Sequence, residues 1–303
     1  MNFAYTWKDT LAAAHKAGWR LEDVLPEGSR LDFSRPFLPE SLARTRDLDF
    51  LSASERTLLN QIRGHAYLCV FGLVEEFILP FVLDHARPEL GADDWRTRAL
   101  LQFAGEEAKH IHLFKRFRER FEDGFGARCE VIGPPEAIAK AVLAHSPLAV
   151  ALTILHIEWM TQAHWLQGVK DDQELDPLFK SLLRHHWMEE AQHARLDTLM
   201  VQALAAGLDQ DQIRAAVDEY LQIGGMLDAG LSQQTLLDLA ALERAGGRTL
   251  PAAERERFLE VQLQANRWTY LGSGMTHPNF QHTLGELGPE HRERVLQAAG
   301  GLC

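Results

Sequence analysis

The chain has 303 residues, 46% of them apolar and 24% charged, which is enough for a sizeable core in an ordinary globular protein. A formal charge of −12 at pH 7 argues against a broad nucleic-acid surface, which needs a basic face. Its three cysteines, Cys69, Cys129 and Cys303, match no zinc or thioredoxin-like spacing and make a poor disulfide framework, so a reducing cytoplasm is expected.

The N-terminus, Met1 to Lys8, lacks a basic start followed by an apolar run, so no signal peptide is expected. No uninterrupted apolar run of about 18 residues occurs, so no transmembrane helix is expected either. Residues 1–50 read as an irregular arm, with a short helix from Lys8 to Ala17. After it, Pro26, Gly28, Pro36 and Pro39 punctuate extended stretches. Leu31, Phe33, Phe37 and Leu38 suit packing of that arm on a larger body.

Ser52-Ala53-Ser54-Glu55 is a capping box, and the helix it opens runs to about His85, with Pro80 as the expected kink. Glu75 and Glu76 lie inside this strongly apolar helix, where a carboxylate is costly unless paired or metal-bound. The row Ile62, Ala66, Cys69, Leu73 continues at position 76 and favours Glu76 as the inward acid. Glu75 follows a second row, Leu68 and Phe71, and stays an alternative.

Asp93 or Asp94 caps a second helix, from Trp95 to about Glu122, which carries Glu107 and His110. A connection over 127–145 contains a short helix from Glu136 to Ala144. Ser146-Pro147 starts a third long helix that reaches Val169 and holds Glu158. Asp176-Pro177 starts a fourth, Leu178 to Ala206, with His186, Glu190 and His193. Residues 208–303 read as a helical extension with apolar periodicity over 213–223, 232–242 and 252–270, and a turn from Gly272 to Pro278. The bundle proper spans 51–207. No alternating pattern predicts strands.

Two Glu-x-x-His pairs, Glu107 with His110 and Glu190 with His193, each face one side of a helix. One lone Glu precedes each pair, at nearly equal distance: Glu76 to Glu107 and Glu158 to Glu190. Two such hairpins bring four carboxylates and two imidazoles to one point, which is the two-metal site of ferritin-like bundles. His186 stands four residues before Glu190 and reads either as a further ligand or as a residue behind the ligands. Carboxylate-rich sites with imidazoles suit iron or manganese better than zinc. The expected fold is therefore all-α: a ferritin-like four-helix bundle with an N-terminal arm and added C-terminal helices. Leu73, Phe77, Phe103, Leu155, Gln162 and Trp187 are candidate walls of the pocket.

The order Glu, Glu-x-x-His, Glu, Glu-x-x-His resembles the ferritin-like di-iron carboxylate superfamily. The His-x-x-x-Glu-x-x-His run of His186, Glu190 and His193 is similar to its arylamine N-oxygenase branch. The resemblance implies that Glu76, Glu107, His110, Glu158, His186, Glu190 and His193 are ligands of two iron ions, with manganese as the alternative metal. It implies an oxygenase that uses O2 and an external electron donor on a small organic substrate, by N-oxygenation of an amine or by hydroxylation. A homodimer is the expected assembly, with no membrane and no nucleic-acid partner. The competing expectation is a ferroxidase or iron-handling protein without an organic substrate, which the long helical region after Gly207 disfavours.

Overall fold

The capping signals start the long helices where the sequence places them. In the computed structural model, which describes residues 5–92 and 94–303, Ser52 accepts the Glu55 N–H while Glu55 accepts the Ser52 N–H at 2.8 Å. Asp176 accepts the Phe179 N–H at 2.6 Å. No strand occurs among the described residues. The arm contributes α1 (Trp7–Ala17), α2 (Leu21–Val24) and α3 (Glu40–Ala43). The bundle is α4 (Ala53–Ala86), α5 (Asp94–Phe125), α7 (Pro147–His164) and α8 (Pro177–Ala205), with the short α6 (Pro135–Leu143) in the crossing connection. The extension is α9 (Gln210–Gly246), α10 (Ala252–Arg267), α11 (Ser273–Met275), α12 (Pro278–Leu287) and α13 (Pro289–Ala299).

Helix α4 packs along α5, α7 along α8, and α5 meets α8 across the bundle. Helix α9 lies across α4 and α7, so the extension covers the face opposite α5 and α8. The arm is docked by specific polar contacts as well as by aromatic packing. Buried Asn60 accepts the N–H groups of Phe37 and Leu38 at 2.7 and 2.9 Å and donates to the Leu38 carbonyl at 2.7 Å. Phe37 stacks on Phe179 at 4.9 Å. Asp176 also accepts the Asp32 N–H at 2.9 Å, so one carboxylate caps α8 and holds the arm.

Several expectations need adjustment. Of the two expected caps of α5, Asp94 is inside the helix and Asp93 lies outside the described residues, as do Met1 to Ala4. Helix α7 ends in a π-helical turn, Trp165–Val169, and α10 in the extension ends in another, Trp268–Gly272. The segment expected to turn from Gly272 onward stays helical to Met275. Gly274 lets that backbone press against His156 on α7, where a Cβ would collide with the ring. The two periodic stretches at 213–223 and 232–242 are one helix: Gly224, Gly225 and Gly230 interrupt the apolar pattern without ending α9.

Helix α4 is also long and apolar enough to cross a membrane by length and composition, although Glu75 and Glu76 interrupt its apolar run. In the fold 78% of its apolar window is buried, as in the core helix of a bundle. It carries a buried charge as well. Arg63, 1% exposed, lies 3.7 Å from Asp238 of α9, donates to Asn266 of α10 and reaches the Leu42 carbonyl of the arm.

Candidate metal centre

Four helices bring acids and imidazoles to one buried point. Helix α4 supplies Glu75, α5 supplies Glu107 and His110, α7 supplies Glu158, and α8 supplies His186, Glu190 and His193, all at most 3% exposed. Glu190 is the hub. Its Oε1 lies 2.6 Å from His186 Nε2 and 3.1 Å from His110 Nδ1, and its Oε2 lies 2.7 Å from His193 Nδ1. Glu107 approaches His193 Nδ1 at 2.9 Å and His110 Nδ1 at 3.6 Å. Glu75 approaches His186 Nε2 at 3.2 Å. Two overlapping groups have donor atoms close enough to share an ion: Glu75, His110, His186 and Glu190, and Glu107, His110, Glu190 and His193.

The donor set fits a pair of cations. Glu75 Oε2, both oxygens of Glu107, Glu158 Oε2 and Glu190 Oε1 are buried without a hydrogen-bond partner. Unpaired carboxylate oxygens inside a protein are costly, and two divalent ions would neutralise four of these acids. Titration tells the same story. Burial, then the negative Glu107 beside it, holds the Glu75 carboxyl well above the usual range. Burial, then Glu190, does the same to Glu158. Burial opposes ionisation of Glu107, yet the neighbouring Glu75 carboxyl and the His193 imidazole bring it down to about 2. Glu190 likewise falls well below the usual range despite its burial, because His186 and His193 face it. Within each hairpin burial and mutual repulsion favour a shared proton over two bare carboxylates, and metal binding displaces such protons.

Behind the cluster, the two Glu-Glu-x-x-His runs brace each other. Glu189 on α8 lies 2.8 Å from His110 Nε2 on α5, and Glu106 on α5 lies 2.9 Å from His193 Nε2 on α8. A carboxylate behind an imidazole fixes its tautomer and aims the other nitrogen inward. Glu106 is itself held by Gln192 at 2.7 Å and Gln102 at 3.0 Å, and Glu189 by Lys109. Lys109 also donates to the Trp19 carbonyl at 3.1 Å, and the Trp19 ring stacks 5.9 Å from His110. The N-terminal arm therefore forms one wall of the centre. We expect Glu106→Gln and Glu189→Gln each to lower metal affinity by about 10–100-fold without unfolding the bundle. Competition with a chromophoric chelator measures this, and unchanged affinity would show that the bracing is idle.

Of the seven predicted ligands, the structure gathers Glu107, His110, Glu158, His186, Glu190 and His193 and leaves Glu76 outside. Glu76 is exposed and lines an outer cleft with Lys115, Arg118 and Glu119. Glu75 occupies the inner position. Both candidate rows on α4 are apolar because the helix is buried on nearly all sides, so periodicity could not separate them. Packing does: Phe71, one turn before Glu75, meets His186 edge-on at 5.4 Å and turns that row toward α8. With Glu75, each lone Glu stands 32 residues before its partner, 75 to 107 and 158 to 190. That equality was the usable signal. The roles of Glu106 and Glu189 were missed, although the doubled Glu in both runs marked them. Asp197, buried one turn beyond His193 and raised well above the usual range mainly by that burial, was also missed.

The proposed walls divide. Phe103 packs on His193 at 4.2 Å, and Gln162 donates to the Trp187 carbonyl at 3.4 Å. Leu155 is buried core. Leu73 and Phe77 instead line an apolar cavity between α4, α6, α7 and α9.

A comparison with curated protein sequences finds no match. Solved structures with similar folds include variants of an R2-like ligand-binding oxidase. One was reconstituted aerobically with a Mn/Fe cofactor and is 14% identical over 88% of this chain and 94% of that chain, with a TM-score of 0.49. Another carries an Fe/Fe cofactor and is 14% identical over 89% and 94%, with a TM-score of 0.48. The family model of p-aminobenzoate N-oxygenase AurF matches residues 14–227, a span that includes every residue of the centre. The chain belongs to the p-aminobenzoate N-oxygenase AurF family.

Proposed function

We propose that this di-iron oxygenase adds oxygen to the nitrogen of a small organic amine, with Glu75, Glu107, His110, Glu158, His186, Glu190 and His193 as the iron ligands. The observation that carries the reading is the convergence of six of these side chains in two overlapping donor groups, with Glu158 beside Glu190 and five buried carboxylate oxygens unpaired, inside the span that matches the family. When bound, the iron pair supplies O2 activation. The first oxygenation balances as amine, O2, two electrons and two protons giving hydroxylamine and water, so an external electron donor is part of the proposal. The protein's own contribution is positional. Glu106 and Glu189 orient the imidazoles, while Phe71, Phe103 and Phe114 pack against His186 and His193 and keep bulk water out. The assembly we propose is a cytoplasmic homodimer, for which exposed Leu90 and Leu101 offer apolar surface.

The test supplies the iron-loaded protein with an arylamine, a chemical reductant and isotopically labelled O2. Mass spectrometry should find label on nitrogen, and light scattering should give the dimer mass. Amine recovered unlabelled, with O2 reduced only to water or peroxide, would overturn the N-oxygenase reading.

A further inference from the structure

The proposed reaction draws electrons from outside the protein, yet its centre is closed off by helices and by Phe71, Phe103 and Phe114. One indole spans the wall on the side of the arm. Trp19, in the connection between α1 and α2, stacks on the ligand His110 at 5.9 Å with the ring planes 15° apart, and meets His185 edge-on at 6.0 Å. Trp19 retains 9% exposure, and Gly18 and Arg20 on either side of it are exposed. A single ring thus separates a metal ligand from the outer face of the arm.

Packing alone does not explain an indole here. Its Nε1–H is buried without a hydrogen-bond partner, a cost that phenylalanine or leucine would avoid. Nor is the ring placed to be oxidised itself. The Lys109 ammonium lies 3.9 Å from its centroid, and a cation over the face disfavours an indole radical cation. Such a ring passes an electron across without holding a positive charge. The surroundings are basic, although the whole chain carries −12. Lys16 and Arg20 lie within three residues of Trp19, Arg184 adjoins His185, and all three are exposed. With Lys109 they outnumber the acids beside them, Glu22 and Asp23, of which Asp23 pairs with Arg20 at 3.3 Å. An acidic partner is drawn to this patch and repelled by the rest of the surface, which orients its approach.

We infer that Trp19 is the port through which electrons enter the centre, and that the face around it docks an acidic one-electron carrier protein. Each electron leaves the carrier, crosses the stacked rings of Trp19 and His110, and reduces one ferric ion to ferrous. The carrier is oxidised by one electron, and Trp19 ends unchanged. The inference rests on the iron-ligand assignment and supplies the donor side of the proposed reaction.

The test keeps amine and O2 out. The diferric protein is mixed with a reduced plant-type ferredoxin, an acidic carrier, or with dithionite, whose small sulfoxyl radical needs no docking. Loss of the ferric absorption is timed. Trp19→Leu should slow reduction by ferredoxin about 10–100-fold, the usual effect of losing a group that supports a ligand, while dithionite acts at the parental rate and both irons stay bound. Trp19→Phe keeps a stacked ring and should recover most of the ferredoxin rate. An unaltered ferredoxin rate in Trp19→Leu would overturn the port. So would equal slowing with both donors, which marks a merely structural ring, or a Trp19→Phe protein as slow as Trp19→Leu. Lys16→Glu with Arg184→Glu should slow ferredoxin about tenfold at low salt, and no change would overturn the docking face. The two readings fail separately. Reduction through Trp19 with no label ever reaching an amine removes the N-oxygenase reading alone. Labelled amine with reduction indifferent to Trp19 removes the port alone.

Discussion

Glu190→Ala should reduce bound iron from two ions per chain to less than one and lower amine oxygenation by at least about a thousandfold, roughly 4 kcal/mol of barrier. No other carboxylate of the centre faces all three imidazoles. Its oxygens face His110, His186 and His193 within 3.1 Å, and its charge acts on Glu158 beside it. It belongs to both groups of donors that could share an ion, so its loss disturbs both at once. Metal analysis gives the first number and turnover the second, with circular dichroism confirming that the helices persist. A variant that kept two irons and normal turnover would remove Glu190 from the ligand set. Glu76→Ala is the matched control: Glu76 is exposed on the outer cleft, so iron content and turnover should stay at the parent level.

The largest effect on stability is expected at Asp238→Ala, which should cost about 3–5 kcal/mol. The Arg63 guanidinium and the Asp238 carboxylate are each 1% exposed, and the variant leaves the cation buried without its counter-charge. Burial pushes Asp238 up to about 6, while Arg63 pulls it down, so the acid is ionised at neutral pH largely because the arginine is there. Asp238 also accepts from Gln234 at 2.8 Å, and Gln234 in turn accepts the Ile132 N–H at 3.0 Å. Loss of the acid therefore loosens a loop that lines the apolar cavity as well as the bundle. Urea unfolding measures the cost. Joint replacement, Arg63→Met with Asp238→Leu, should recover most of it, because removing both charges removes the desolvation burden along with the attraction. A loss below about 1 kcal/mol for Asp238→Ala would show that water reaches the pair.

The helices of the bundle were legible because their ends carry explicit chemistry. Ser52 with Glu55, Pro147 after Ser146, and Pro177 after Asp176 place three starts within a residue of where they stand. The centre was legible because helical spacing turns sequence distance into shared direction. That logic fails where every direction is apolar. On α4 the rows ending at Glu75 and Glu76 look equally inward, and only the packing of Phe71 on His186 separates them. The cavity could not have been foreseen, since its walls come from four helices up to about 160 positions apart, and no local pattern records which faces they leave unfilled. The length of α9 was hidden for another reason. Its glycines erase periodicity without breaking the backbone, since glycine in a helix costs only about 1 kcal/mol relative to alanine.

The crossed bracing of the imidazoles has a consequence for how the molecule comes together. Each hairpin lends its outer carboxylate to the histidine of the other. Half of the chain, made alone, would display an imidazole free to swing and an acid with nothing to steady. Tight capture of iron then waits until the two halves have docked, because each imidazole is steadied only by an acid from the other half.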